Sequence, residues 1–525
     1  MNQIEQTSSV KRIAVIGAGI SGLACAYRLQ REARARGINL RVDLFEASDR
    51  SGGVIATSER DGFTIDEGPD CFISTKPEAL QLSNELGLND QMISTSTVHR
   101  RSFILFRGRP TPIPPGFFLL APTSLRSLAA TPLLSWHGKL RAALDWVIPK
   151  RAQTELGSSS NAGSGLRDEC LADFVRRRFG NEVLERIAQP MVAGIYTADP
   201  EKLSLAATFP QFLKMESEEG SVIRALMRKT RAGESLRPSL PAKNTTGSAR
   251  EDDTAGAKQA AGPRYGMFVS YKRGMGVIPR TLEAALTPGT LHLKAGVREL
   301  AALPGGRWRL LDAQGDWHEL DGICMALPLV SAARVLSDVS GSNAQARTAC
   351  KALAESMQGV RYASSAIVTC AYKREQIAHK LDGMGMVIPA IEKREILAAS
   401  FSSVKWDHRA PDGHVLIRAF IGGALQEHLA ELEPEQLEAL AKRELASILG
   451  ISGEPLFVQV NRWPQRMAQY EVGHLDRVAA IRELEGRVEG LALAGNGFDG
   501  VGIPDCIRHA ERAASELLAR VGART

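Results

Sequence analysis

The chain has 525 residues, enough for two or three domains around sizeable cores. With 44% hydrophobic and 24% charged residues its composition is that of an ordinary globular protein, which excludes a chain disordered throughout. The net charge of +6 suits an anionic substrate or an acidic membrane surface, but no dense Lys/Arg tract of the nucleic-acid-binding kind is present, so no nucleic acid is expected as partner.

Residues 1–10 are polar and show no secretory signal, and no stretch approaches the roughly 18 consecutive apolar residues of a membrane span. The seven cysteines are odd in number and none stands as CxxC. They read as free thiols in a reducing, cytoplasmic compartment, with neither a zinc site nor a disulfide frame.

In chain order, the first element is a buried strand at 12–17, within KRIAVIGAGISGLACAYRLQ. A glycine cluster and a helix over 21–36 follow, then a second strand, Leu40–Glu46. This strand–helix–strand unit predicts a parallel sheet. Gly17, Gly19 and Gly22 form GxGxxG between strand and helix. Gly17 permits the tight turn, Gly19 lets a pyrophosphate approach the backbone, and Gly22 lets helix and strand pack closely. The helix N-terminus offers N–H groups to the phosphates. Glu46 ends the second strand about 20 residues on, where a carboxylate accepts hydrogen bonds from ribose hydroxyls. The stretch ASDRSGGVIATSERDGFTIDEGPDCF adds a second glycine pair, Gly52 and Gly53, and a short run that returns to Gly68. A nicotinamide enzyme needs no such extension. It resembles the flavin-binding signature of the FAD oxidoreductases that include amine oxidases and phytoene desaturases.

Further along, residues 116–148 mix apolar runs with basic residues and two tryptophans. They read either as interfacial helices or as a buried wall of a substrate pocket. Residues 152–165 and 229–264 carry little apolar material and are expected to be disordered polar insertions. Between them LADFVRRRFGNEVLERIAQPMVAGIY has helical spacing. VIPRTLEAAL predicts a helix, LHLKAGVREL and RWRLLDAQGDWHELDGICMAL predict strands, residues 364–421 are strand-rich, and 432–449 predict an amphipathic helix. The chain ends strand (Leu491–Ala494), glycine loop, helix from Ile503 or Pro504. Gly495, Gly497, Gly500 and Gly502 repeat the logic of the first loop. A second helix N-terminus aimed at the same cofactor would stabilise negative charge on a reduced flavin.

Five stretches together resemble the oxygen-dependent porphyrinogen oxidases, which oxidise protoporphyrinogen IX or coproporphyrinogen III in haem synthesis. They are MVAGIYTADPEKLSLAATFP, GMGMVIP, RAPDGHVLIRAFIGG, QYEVGHLDRV and GNGFDGVGIPDCI. The resemblance implies an α/β fold with a split Rossmann-like FAD domain (1–90, 265–330, 481–525). It also implies a substrate and helical membrane-facing region (91–228) and a mixed-sheet substrate domain (331–480). For FAD it implies Gly17, Gly19, Ser21, Gly22, Glu46, Gly52, Gly53, Gly68 and Pro69, then Val297 near the adenine, and Val501, Gly502 and Ile503 at the flavin. For substrate it implies Gly194 and Met384, the latter where many members have a phenylalanine. Ser102 stands where many protoporphyrinogen oxidases have a propionate-binding arginine, so Arg100 or Arg101 takes that role here. HRRSFILFRGRP and PTPIPPGFFLLAPTSL look closer to the coproporphyrinogen-oxidising members.

No Ser/His/Asp arrangement, paired-carboxylate motif or metal-ligand spacing stands out, so the chemistry is expected to be the cofactor's, with no catalytic side chain. The resemblance implies three two-electron steps, each passing a hydride from a bridging carbon to flavin N5, and oxygen as final acceptor giving hydrogen peroxide. It also implies peripheral contact with the inner face of the cell membrane and hand-off of product to a ferrochelatase. Two other readings stand. An amine oxidase or carotenoid desaturase shares the fold, although GNGFDGVGIP offers only Phe498 where amine oxidases place an aromatic pair. A non-catalytic flavin- or porphyrin-binding protein would have no need of a reoxidisable flavin.

Overall fold

The apolar run Ile13–Ile16 lies in strand β1 (Lys11–Ile16), which feeds helix α1 (Ile20–Ala35) and strand β2 (Leu40–Phe45). A computed structural model describes residues 10–99, 101–113, 116–151, 168–231 and 267–522. Much later the chain adds β3 (Leu291–His292) and β4 (Gly322–Met325). It then builds β5 (Tyr362–Lys373), β6 (Ala398–Phe401), β7 (His414–Gly422), α2 (Pro434–Leu449) and β8 (Phe457–Ala468). It returns at the end with β9 (Leu491–Leu493) and α3 (Ile503–Gly522).

Strands β3-β2-β1-β4-β9 form one sheet in that order, and every pairing is parallel. Parallel strands need both faces covered, which is why these are continuous apolar runs. On one face Ile13 and Val15 pack with Leu23 and Leu29 of α1 and Ile507, Ala510 and Leu517 of α3. On the other, Ala14, Ile16 and Phe45 pack with Trp308 and Leu310 from a three-stranded antiparallel sheet. The stretch LHLKAGVREL is shared between two sheets. Its first residues are β3, and Val297–Ala302 joins the antiparallel sheet. Lys294 at φ +54° makes the break, and the N–H groups of Lys294 and Ala295 turn to the carbonyls of Ser48 and Glu46.

The second large sheet runs β8-β5-β7-β6, then Gly385–Val387, Phe103–Phe106 and Arg109–Pro112. Helix α2 covers one of its faces, where Val368, Cys370, Ile417 and Ala419 meet Leu437, Leu440 and Leu445. Side chains on alternate residues point to the opposite face, which is turned toward the loop Glu67–Asp70.

The helical segment is built from Leu171–Phe179, Gln189–Tyr196, Pro210–Glu219 and Val222–Arg231, with a π-helical turn at Leu184–Ala188. Arg178 is fully buried in it, its Nε donating to Asp145 Oδ1 at 2.6 Å. The second polar insertion begins later than expected, because Ile223 and Leu226 anchor the last helix, which runs on to Arg231. The rest of that insertion, residues 152–165 and Arg100 lie outside the described residues.

Candidate active site

The two glycine loops leave the carboxyl ends of β1 and β9, strands of one sheet separated by β4. Gly17 turns with φ +97°, and an ideal Cβ on Gly22 would fall 1.8 Å from the Gly17 carbonyl oxygen. Backbone packing alone therefore demands both glycines. Gly19 differs, because a Cβ there would meet nothing within 4 Å. It is the N-cap of α1, which has no side-chain cap and no acidic residue in its first turn. Uncapped N–H groups behind a side-chain-free residue fit a pyrophosphate.

Glu46 lies against this loop. Its carboxylate accepts from the Ala18 N–H at 2.7 Å and the Ser48 N–H at 3.0 Å. The Gly52 N–H donates to the Ala18 carbonyl at 2.8 Å, and a Cβ on Gly53 would sit 3.2 Å from the Gly19 Cα. Gly68 approaches the Val54 carbonyl so closely that a Cβ would be 1.9 Å away. Val297 lies two residues beyond the Ala295–Glu46 hydrogen bond. These predicted cofactor residues are thus drawn together along the carboxyl edge of the sheet.

The second loop joins them through Ser21, buried in the first turn of α1, which hydrogen-bonds Cys506 in the first turn of α3. Burial pushes that thiol up to about 12. Val501 packs against one core and Ile503 lies in the other, with Gly502 between them. The start of this second helix carries charged side chains of its own. Asp505 is buried in its first turn, and its carboxylate is held by Lys76 Nζ at 2.6 Å and Arg508 Nη2 at 3.0 Å.

Side chains not singled out from the sequence brace this loop. The Tyr470 hydroxyl donates to the Asn496 carbonyl at 2.8 Å and accepts from the Gly500 N–H at 3.0 Å. His474 stacks on Tyr470 at 3.9 Å between ring centroids, and its Nε2 donates to the Phe498 carbonyl at 2.6 Å. Burial pushes the His474 imidazole down to about 4, against the opposing pull of that hydrogen bond. The pair sits four residues apart within QYEVGHLDRV, but its target is more than 20 residues away, so the spacing alone named no partner.

Strand register defines the face opposite α2. One cross-strand row is Val387–Ala398–Phe420–Ile367–Asn461, and the next is Gly385–Ser400–Arg418–Thr369–Gln459. The first is largely apolar and the second polar. Two side chains tie this face to the cofactor loop. The Trp463 Nε1–H donates to the Glu67 carbonyl at 3.0 Å, and Arg418 donates to the Gly68 carbonyl. Gly194 reaches the apolar row, since a Cβ on it would lie 3.1 Å from Val387 Cγ1. Met384 is buried at the start of the Gly385–Val387 strand, its N–H donating to the Arg101 carbonyl at 2.9 Å. The Arg101 guanidinium is half exposed and 3.4 Å from Asp382. Among the described residues the one grouping of metal-type donors is Cys170, Asp173 and Glu201, and Arg176 already pairs with both carboxylates.

Asp70, directly after Pro69, is bound by Lys405 Nζ at 3.0 Å and by the Trp406 Nε1–H at 3.1 Å, with Arg418 Nη1 at 3.6 Å. Burial opposes its ionisation, but the two cations outweigh burial and hold the carboxyl well below the usual range. It is therefore an anchor, not a base. Burial likewise pushes the neighbouring Cys71 thiol up to about 12.

Comparison with known proteins places the chain in a family. The flavin containing amine oxidoreductase family profile matches residues 20–518. Coproporphyrinogen III oxidase of Bacillus subtilis is 31% identical over 97% of this chain and 98% of its own length, and that of Propionibacterium freudenreichii is 32% identical over 96% and 90%. Protoporphyrinogen oxidase 2 of Arabidopsis thaliana is 27% identical over 98% and 95%. A crystal structure from Exiguobacterium sp. 255-15, provisionally assigned as a protoporphyrinogen oxidase, superposes with a TM-score of 0.78 at 28% identity, covering 97% of this chain and 99% of that one. The chain belongs to the flavin-containing amine oxidoreductase family, on the branch of these porphyrinogen oxidases, and is an FAD-dependent oxidoreductase.

Proposed function

We propose that the chain is a coproporphyrinogen III oxidase of haem synthesis, making coproporphyrin III in a six-electron oxidation with oxygen as acceptor and hydrogen peroxide as product. The observation that carries this reading is the name borne by the full-length relatives at 31% and 32% identity. A third relative of that name stands at 28%, and relatives named for protoporphyrinogen at 27–29%. When bound, FAD supplies the two-electron acceptor that the chain's own side chains lack.

Gly17, Gly19, Ser21 and Gly22 would hold its pyrophosphate at α1, with Glu46 on a ribose and Gly52 and Gly53 alongside. Val297 would border the adenine. Gly68, Pro69, Val501, Gly502 and Ile503 would border the isoalloxazine. The apolar row Val387–Ala398–Phe420–Ile367, with Gly194 and Met384 near it, would face the flat macrocycle. Arg101, swung off Asp382, or Arg100 would pair a propionate.

The chain would work in the cytoplasm, resting peripherally on the inner membrane face. Trp136, Leu140, Leu144 and Val147 support this contact, being exposed along one short helical stretch with Arg126 and Lys150 nearby. Its product would be the substrate for iron insertion, which makes hand-off to a ferrochelatase part of the proposal.

The test is turnover of coproporphyrinogen III and protoporphyrinogen IX side by side, first without oxygen and then with it, followed by porphyrin fluorescence and peroxide release. The expected result is a preference for coproporphyrinogen III above tenfold in kcat/KM, about 1.4 kcal/mol in transition-state binding. The opposite preference would assign protoporphyrinogen IX, and absence of turnover with either would overturn the reading.

A further inference from the structure

Asp70, Lys405 and Arg418 form a buried cluster with one more positive charge than negative. Arg418 is 2% exposed, and the side chains of Lys405 and Asp70 are mostly covered. Asp70 is the one carboxylate within 4.0 Å of either cation among the described residues. The cross-strand row that carries Arg418 also holds unpartnered polar atoms. Arg418 Nε, Thr369 Oγ1 and Ser400 Oγ are buried and have no hydrogen-bond partner among the described residues. A surplus buried charge is unfavourable unless something of opposite sign offsets it. Aromatic faces do so only in part, Lys405 lying over the Trp406 and Phe268 rings at 5.0 and 5.7 Å and Arg418 over the Phe420 ring at 5.3 Å.

The cluster also has a defined neighbour. Arg418 donates to the Gly68 carbonyl, and Asp70 follows Pro69 directly, so both are attached to the segment proposed above to border the isoalloxazine. At the other side of the site, the Asp505 carboxylate in the first turn of α3 is itself paired by Lys76 and Arg508.

We infer that the Asp70–Lys405–Arg418 cluster sets the electron affinity of the bound FAD, its surplus positive charge stabilising the negative charge that arrives on reduction. Uptake of two electrons and one proton would leave an oxidised, neutral ring system one charge more negative, and loss of those electrons to oxygen, with one proton from the ring and one from solvent completing hydrogen peroxide, would remove that charge. A fixed cation in a poorly solvated site acts on that difference without needing contact. Lys405 and Arg418 are thereby tuning residues, while Asp70 limits their effect.

The inference rests on the FAD reading of Gly68 and Pro69, and a charge series separates the two. The midpoint potential of the FAD-loaded protein is measured by spectroelectrochemical titration for wild type, Lys405→Met, Asp70→Asn and Arg418→Lys. Lys405→Met should lower the ratio of reduced to oxidised cofactor at a fixed applied potential at least threefold. Asp70→Asn should raise it by a similar factor, and Arg418→Lys should stay within twofold of wild type. On this scale a tenfold change is about 30 mV for a two-electron couple. Shifts of the same sign in Lys405→Met and Asp70→Asn, or shifts below twofold in both, overturn the inference. A merely structural cluster has no reason to move the potential in opposite directions. If Asp70→Asn does not retain FAD, Lys405→Met decides alone. Wild-type protein that shows no flavin absorption refutes the cofactor reading itself, before any potential is recorded.

Discussion

At the residue scale the three glycines of the first loop are not equivalent. Gly17 and Gly22 answer to the backbone, since added side chains would strike Ala326, Leu327 and the loop's own carbonyl. Gly19 answers to a ligand, for its Cβ direction is empty and its φ of −69° is open to any residue. Gly19→Val should therefore fold, with apo stability changed by about 1 kcal/mol or less, yet purify without flavin. The absorbance ratio at 450 and 280 nm, read beside the melting temperature, checks this. A variant that keeps full flavin would mean the pyrophosphate lies elsewhere. The GxGxxG spacing and Glu46 were legible because strand, turn and helix are contiguous in the chain. Arg418 was not, since its meaning comes from cross-strand neighbours Thr369 and Ser400 and from Gly68, 350 residues away.

At the element scale the terminal loop is a nearly unsupported glycine run that other elements hold still. Tyr470 and His474 bind three of its backbone groups, and His509 bonds the Gly495 carbonyl and the Asp499 carboxylate at 2.7 Å each. His474 makes this brace sensitive to acid. Its folded pKa of about 4 lies below the ordinary value of about 6.5, so between those values the unfolded chain binds a proton that the native ring refuses. Stability thus falls as pH drops from about 6.5 toward 4, by on the order of 3 kcal/mol at most. His474→Gln keeps a donor for the Phe498 carbonyl but does not titrate. It should flatten the decline in melting temperature between pH 7 and pH 5, and an unchanged slope would show that the acid sensitivity resides in other groups.

At the scale of the whole molecule, two sheets from interleaved stretches of chain meet across the Glu67–Asp70 segment, and the helical segment carries an apolar face of its own. Trp136 is 65% and Val147 71% exposed, while Leu133, Leu134 and Ala142 beside them are buried. Residues 116–148 thus have an exposed apolar face and a buried one, and the membrane contact proposed above concerns the exposed face. Among the described residues no helix is long and apolar enough to cross a membrane. With about 1.5–3 kcal/mol available per buried apolar side chain, Trp136→Ser combined with Leu140→Ser should weaken binding to anionic vesicles at least tenfold without altering flavin content. Cosedimentation equal to wild type would assign that face another role. Local order decided what could be read directly: periodicity and glycine spacing depend on residues close in the chain, and they determined the parallel sheet and the glycine turn from β1 into α1, while the cofactor class came from resemblance to a known family. Tertiary structure alone decided which polar groups share a strand row, which side chains pair the carboxylate at the start of α3, and where two cations stand beside one anion. Those are matters of register and distance between segments hundreds of residues apart, on which composition and spacing are silent.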